Sequence, residues 1–250
     1  MLFFIRRNDL SNPLVYKNSY QNSHLSNMMK IISISCFTLQ SVVIVLSFAF
    51  SLRLMNNKEV PIYMKNFYLY PLVAIMVLIP AIITAYFSIW LNFATYLNNI
   101  SLIFHFSFLS RFIISVIPGN KETPFLRNVY WIFLLPILYF LFRNGLTTPN
   151  NQAFSISNLG LTFLCIKYYY RLFKNLPQIN LKKEPSFWIV TGVFIGMSLH
   201  IPVSAMIDYV RDKISIFNYI ILGNILLITY TIMHLFFIKA FICSSQKRKA

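Results

Sequence analysis

The stretch Phe217–Ile242, FNYIILGNILLITYTIMHLFFIKAFI, holds a single lysine and no carboxylate. At a rise of about 1.5 Å per residue, about 20 apolar residues cross about 30 Å of hydrocarbon as one helix. This run is long enough to do so. Working outward toward the N-terminus, six more segments read the same way. They run from Ile31 to Leu54, Phe67 to Leu91, Asn98 to Ile117, Val129 to Phe142 (beginning nearer Pro124), Phe154 to Phe173 and Phe187 to Ile207. The runs are continuous and do not alternate apolar with polar, so they are not the strands of a closed barrel. Short polar connectors such as Asn56-Asn57-Lys58-Glu59 separate them. The expected fold is an all-α membrane protein, a single bundle of seven transmembrane helices.

Composition agrees. Of 250 residues, 57% are apolar and 11% charged, and 22 Lys and Arg stand against six acids, for a net charge of +16. The basic residues sit between the apolar runs and gather on no single face, which argues for anionic lipid as their partner and against nucleic acid. Cys36, Cys165 and Cys243 are odd in number and imply no disulfide framework. Neither CxxC, HExxH, GxxxxGK[ST] nor GxSxG occurs, and six glycines are few for a phosphate-cradling loop. The reading is of a protein that is not an enzyme, with no cofactor and no metal site.

In a seven-span arrangement one face carries seven Lys and Arg and the other fifteen. The richer face is expected inside, which puts the N-terminus outside and the C-terminus in the cytoplasm of a cell whose inner membrane holds the chain. Residues 1–29 read as a polar tail, 30–243 as the transmembrane domain and 244–250 as a basic cytoplasmic tail. Met28-Met29 offer a second start, so residues 1–27 are open as part of the natural protein. The basic cytoplasmic surface is expected at Arg171, Lys174, Lys182 and Lys183.

The run from Lys167 to Gly192, KYYYRLFKNLPQINLKKEPSFWIVTG, joins the fifth segment to the sixth. It resembles seven-helix inner-membrane proteins of Bacteroidota in which an acid-Pro-x-Phe-Trp-Ile-x-x-Gly stretch opens the penultimate helix. Asn98 to His105, and Asn218 to Asn224, are similar more loosely. Genes of that kind often neighbour sensor histidine kinases or response regulators, so the resemblance implies a sensory or accessory membrane role. It carries no catalytic or binding residue across. Physically the stretch is a helix start: Pro185 fits the first turn, Glu184 complements the positive helix end, and Phe187 and Trp188 suit interfacial depth.

Better-known seven-helix classes fail on named positions. No Asp/Glu-Arg-Tyr box ends the third segment, which closes on Ser115-Val116-Ile117-Pro118, and the seventh reads Asn224-Ile225-Leu226 where a rhodopsin-like receptor needs Asn-Pro-x-x-Tyr. Lys239 is too near the end of the last segment for a retinal linkage. Pro177-Gln178 lies in a connector, not inside a helix as in the PQ-loop class.

Polar residues at bilayer depth are costly and mark function or interhelical bonds. The expected intramembrane site comprises His105, His200, Arg111, His234 and Asn224. Counted from the segment ends, His105 and His200 each lie about 10 Å below the outer surface, whereas His234 lies about 27 Å down and stands apart. Two readings stay open. The paired histidines face each other and bind a proton, an anion, a haem or a metal, or each is neutral and bonds a carbonyl or serine of a neighbouring helix. Arg111 either snorkels to headgroups or holds an anion. Asn224, Thr231 and His234 share one face of the seventh helix. No acid falls at the bilayer centre, which counts against proton- or sodium-coupled transport. Pro80, Pro136 and Pro202 fall within spans and are expected to kink them.

The functional expectation is a sensory, signalling or accessory subunit of a membrane complex, working with the lipid bilayer and a membrane or cytoplasmic signalling partner. A small-solute permease or channel, with a continuous polar lining from His105 past Arg111, is the rival. A structural subunit is the third reading.

Overall fold

A computed structural model describes residues 22–55, 62–67, 69–86, 91–117, 123–174, 181–211 and 216–246. Among them are eight α-helices: α1 (Asn22–Met55), α2 (Ile62–Phe67), α3 (Leu69–Tyr86), α4 (Leu91–Val116), α5 (Thr123–Asn144), α6 (Asn151–Lys174), α7 (Pro185–Arg211) and α8 (Ile216–Gln246). A three-residue 3-10 turn, Leu181–Lys183, precedes α7.

Five stretches are long and apolar enough to cross a membrane: Ile31–Leu54, Thr95–Val116, Pro124–Asn144, Pro185–Met206 and Ile220–Ser245. A helix that is apolar on all sides belongs in lipid or deep inside a large core. Ile31, Ile34, Val42 and Val45 on α1, with Ile132, Leu135, Tyr139 and Phe142 on α5, are each more than half exposed. Water would not tolerate such a surface, and lipid does. The chain is a multi-pass helical membrane protein. Neither α3 nor α6 is among the five; the first turns of α6 carry Asn151, Gln152, Ser155, Ser157 and Asn158.

The helices extend beyond the apolar windows that sequence marks. α1 begins at Asn22, so residues 22–29, expected as tail, form its opening turns, while residues 1–21 lie outside the described residues. Of the expected second segment, Phe67 closes α2 and Leu69–Tyr86 form α3, and α4 begins at Leu91, seven positions before Asn98. α8 runs on to Gln246, into the expected C-terminal tail. Helical hydrogen bonding continues into the polar margin wherever side chains permit it, so hydropathy locates the membrane-embedded part of a helix and not its ends. Pro124 sits in the first turn of α5, where a missing N–H costs nothing, and Pro136 and Pro202 lie inside α5 and α7.

Packing closes six helices into a ring. α1 lies against α3, α3 against α4, α4 against α6, α6 against α7, α7 against α8, and α8 returns to α1; α5 lies outside, in the groove between α4 and α6. Close approach within the ring depends on small residues, as is usual where lipid removes the hydrophobic drive for helix association. A Cβ on Gly192 of α7 would stand 2.7 Å from the Phe236 Cβ and 3.0 Å from the Met233 carbonyl oxygen of α8.

The connector between α5 and α6 is pinned by side-chain amides. Gly145 adopts φ of 82° just after α5, the left-handed residue that commonly ends a helix. Asn150 caps α6, accepting from the Ala153 N–H at 3.1 Å and donating to the Phe140 carbonyl at 2.6 Å. From α4, the Asn99 amide donates to the carbonyls of Leu146 and Thr148, each at 2.8 Å. This knot fixes the N-terminal half of α4 against the start of α6.

Candidate functional site

Two buried histidines, His200 and His234, a partly buried third, His105, and two tyrosines meet inside the ring. Tyr70, in the first turn of α3, places its hydroxyl 2.7 Å from His105 Nδ1 of α4. The Tyr70 ring is stacked beside His234 of α8, with centroids 6.1 Å apart and planes at 28°. Tyr230, one turn before His234 on α8, meets His105 edge-on at 6.3 Å and His200 edge-on at 4.5 Å. Tyr230 therefore stands between His105 and His200.

Depth leaves two readings open for His105 and His200. His200 is committed to α8: its Nε2 lies within hydrogen-bond reach of the Thr229 hydroxyl and 3.3 Å from the Leu226 carbonyl. That is the satisfied, interhelical histidine of the second open reading. His105 shares its surroundings with His234, the residue that depth had set apart. The reason is where the helices begin. His105 is 14 positions from the start of α4 at Leu91, about 21 Å at the helical rise, and His234 is 18 positions from the start of α8, about 27 Å. Both sit near mid-bundle.

A cavity of about 100 Å³ lies directly beside them. His105, His234, Tyr70 and Tyr230 form its foot, and its wall runs up α4 along Ser101 and Asn98, with Gln40 facing them from α1. Asn98, Ser101 and His105 are spaced three and four positions apart, so they form one stripe on α4. Two nitrogens at the foot, His105 Nε2 and His234 Nδ1, are buried and have no hydrogen-bond partner among the described residues. An orphaned buried polar atom costs about 1–3 kcal/mol relative to a paired one, so these two nitrogens are where a polar molecule would gain most by binding. Among the described residues, no Asp, Glu, Lys or Arg lines the cavity, and no three His, Cys, Asp or Glu side chains come together in a way that would hold a metal.

Below the foot the bundle is sealed by rings. Phe67, at the end of α2, packs on Phe112 of α4 at 4.8 Å, on Phe237 of α8 at 5.0 Å and on Phe241 at 6.0 Å. Phe67, Phe237 and Phe241 are fully buried. These rings close off the side of the cavity away from the α4 N-terminus.

No protein-family model, no curated protein and no solved structure matches the chain.

The other expected site residues fall elsewhere. Arg111 is exposed on the outside of α4, its guanidinium 6.0 Å from the Tyr130 ring of α5. It is separate from the cavity wall. Asn224 is buried, 8% exposed, two turns before Thr231 on α8, whose hydroxyl bonds back to the Leu227 carbonyl at 2.8 Å. Of the four basic positions, Lys174, Lys182 and Lys183 are exposed and Arg171 is half-buried.

Beside those lysines lies a cluster that hydropathy does not reveal. Glu184 Oε1 accepts from the Tyr63 hydroxyl of α2 at 2.9 Å and from the Ser186 hydroxyl at 3.1 Å, and Ser186 lies 3.3 Å from the Tyr168 hydroxyl of α6. The Lys182 carbonyl accepts from Trp188 Nε1 at 3.0 Å and from the Cys243 thiol of α8 at 3.5 Å. Four helices are tied to the turn at residues 181–184.

Of the residues at the cavity foot, the sequence reading lacked Tyr70 and Tyr230. Tyr230 was within reach, because it lies four positions before His234 and so shares its face. Tyr70 comes from a helix whose register against α4 nothing in the sequence fixes.

Proposed function

We propose that this chain is a seven-span sensory or accessory protein of a bacterial inner membrane, with its N-terminus outside and its C-terminus in the cytoplasm. α3 and α6 supply the two spans beyond the five long apolar stretches. Support for α6 comes from its outer face, where Leu159, Phe163, Ile166, Tyr170 and Phe173 follow one another at three- and four-residue spacing, each exposed. The excess of basic residues at the 181–183 turn and at the C-terminus supports the orientation.

One observation carries the functional reading. The cavity, apolar over most of its wall, has His234 at its polar foot, and the same helix continues to Phe236, stacked 5.9 Å from Trp188, and to Cys243 on the Lys182 carbonyl. An occupant that prefers one position of α8 shifts the population of arrangements at the basic turn, where a cytoplasmic partner is met. The channel reading needs a polar lining that continues past Arg111. Arg111 faces away from the cavity, and phenylalanines close the inner half.

The test uses Trp188 as reporter. With Trp90 and Trp131 replaced by Phe and the protein in lipid nanodiscs, Ala74→Leu fills part of the cavity and imitates occupancy. The expected outcome is a changed Trp188 emission together with altered thiol labelling at a Lys182→Cys position. A folded Ala74→Leu protein with both signals unchanged overturns the coupling, and solute flux through liposomes holding this chain alone favours the channel.

A further inference from the structure

We infer that the cavity is a binding site for a small uncharged molecule of the amide type, with about four non-hydrogen atoms. This inference rests on the proposed pocket and adds the chemistry of its occupant.

Size sets the first limit. A dry apolar cavity of about 150 Å³ admits benzene, six carbons, so the 100 Å³ here corresponds to about four heavy atoms.

Charge sets the second. An ion moved into a region without a counter-charge loses several kcal/mol of hydration that nothing returns. Gln40, Tyr70, Asn98, Ser101, His105 and His234 line the wall as neutral hydrogen-bonding groups, with no carboxylate, ammonium or guanidinium among the described lining residues. The occupant is therefore uncharged.

Hydrogen-bond roles set the third. Tyr70 engages His105 Nδ1, which leaves Nε2 as donor or acceptor according to the tautomer, and His234 Nδ1 is in the same position. An amide brings an acceptor oxygen and a donor nitrogen on one carbon, so a single molecule meets the two orphaned nitrogens whichever tautomers they hold. Asn98 and Gln40 end in amides that pair with another amide, and the apolar rest of the wall, Phe37, Ile44, Val73 and Leu78 among it, suits a small alkyl end. Beneath, the phenylalanine plug closes one side, and Asn98 and Ser101 line the side opposite it.

Acetamide and acetate provide the test, since they match in size and differ in charge. Protein labelled with 15N-histidine in lipid nanodiscs is titrated with each at pH 8, following the imidazole nitrogens by NMR. Acetamide is expected to shift the His105 and His234 signals saturably and to leave His200, already bonded to Thr229, unmoved. Acetate is expected to leave all three unmoved. Ala74→Leu, which narrows the cavity, and His234→Phe, which removes one orphaned nitrogen, are each expected to weaken the acetamide response at least tenfold. Absence of an acetamide shift in the wild-type protein, an equal shift with acetate, or an undiminished shift in Ala74→Leu overturns the assignment. The Trp188 measurement uses no solute, so its failure and this one are told apart.

Discussion

Replacing Gly192 by alanine adds one carbon at the tightest contact between α7 and α8. That carbon would stand 2.7 Å from the Phe236 Cβ and 3.0 Å from the Met233 carbonyl oxygen. Both atoms belong to, or are bonded directly to, the α8 backbone, so no rotamer change relieves the overlap. The helices must separate by several tenths of an ångström, and forced overpacking of this kind costs about 1–3 kcal/mol. Against that, alanine gains about 1 kcal/mol over glycine within a helix. The expected net loss for Gly192→Ala is about 1 kcal/mol, a roughly fivefold change in the folding equilibrium by the same scale. Gly196 provides the control one turn on. Its added Cβ would meet the flexible Met233 side chain at 3.4 Å, an ordinary contact, so Gly196→Ala keeps the helical gain and is neutral or more stable. The assay is unfolding in mixed micelles by titration with a denaturing detergent, read by far-UV circular dichroism. Equal stability of the two variants, or a more stable Gly192→Ala, refutes the argument from close α7–α8 approach.

Three further outcomes follow from single contacts. Tyr70→Phe removes the hydroxyl bonded to His105 Nδ1 and leaves another buried nitrogen unpaired, costing about 1–3 kcal/mol in the same unfolding assay; an unchanged midpoint contradicts the pairing. Asn99→Ala cuts the bonds to the Leu146 and Thr148 carbonyls and exposes residues 145–150 to faster proteolysis from that side of the membrane, with a loss of about 1–2 kcal/mol. Arg111→Ala, at an exposed site beside Tyr130, stays within about 0.5 kcal/mol of wild type and leaves the acetamide response intact; loss of that response would place Arg111 at the cavity after all.

How much of this could be read from the chain differs between fold and site. A lone lysine in Phe217–Ile242 is enough to name α8, because no soluble structure buries so long an apolar run; the same reasoning finds α1, α4, α5 and α7. Helix ends were not legible. Leu91 to Leu97 continue α4 through Asn92, Thr95 and Tyr96, which hydropathy counts as margin and the helix does not. That difference places His105 on Tyr70 at the cavity foot it shares with His234, while His200 bonds Thr229. His105, His200 and His234 were all visible as costly residues, and one polar stripe, Asn98–Ser101–His105, follows directly from helical periodicity. What periodicity cannot supply is which stripes face one another, since register between helices is decided by contacts such as Gly192 against Phe236. The Glu184 cluster was invisible for the same reason: Tyr63 lies 121 positions away in sequence.

The two polar clusters have opposite electrostatic designs, and the difference bears on how one could act on the other. At the 181–184 turn a carboxylate is held by hydroxyls from α2 and α7, beside exposed lysines, where water and headgroups keep charge tolerable. At the cavity foot no carboxylate, ammonium or guanidinium stands among the described residues, and two nitrogens lack partners there. A signal carried by ion binding would need a counter-charge within the cavity, and its lining offers none among the described residues. A signal carried by a neutral molecule needs only that hydrogen bonds form in one arrangement of α8 and not in another. Two bonds of about 1 kcal/mol each would then bias the arrangements by roughly thirtyfold. From His234 to Cys243 is nine positions along one helix, about 13 Å, so a rigid α8 carries a displacement at the imidazole to the Lys182 carbonyl without any further moving part.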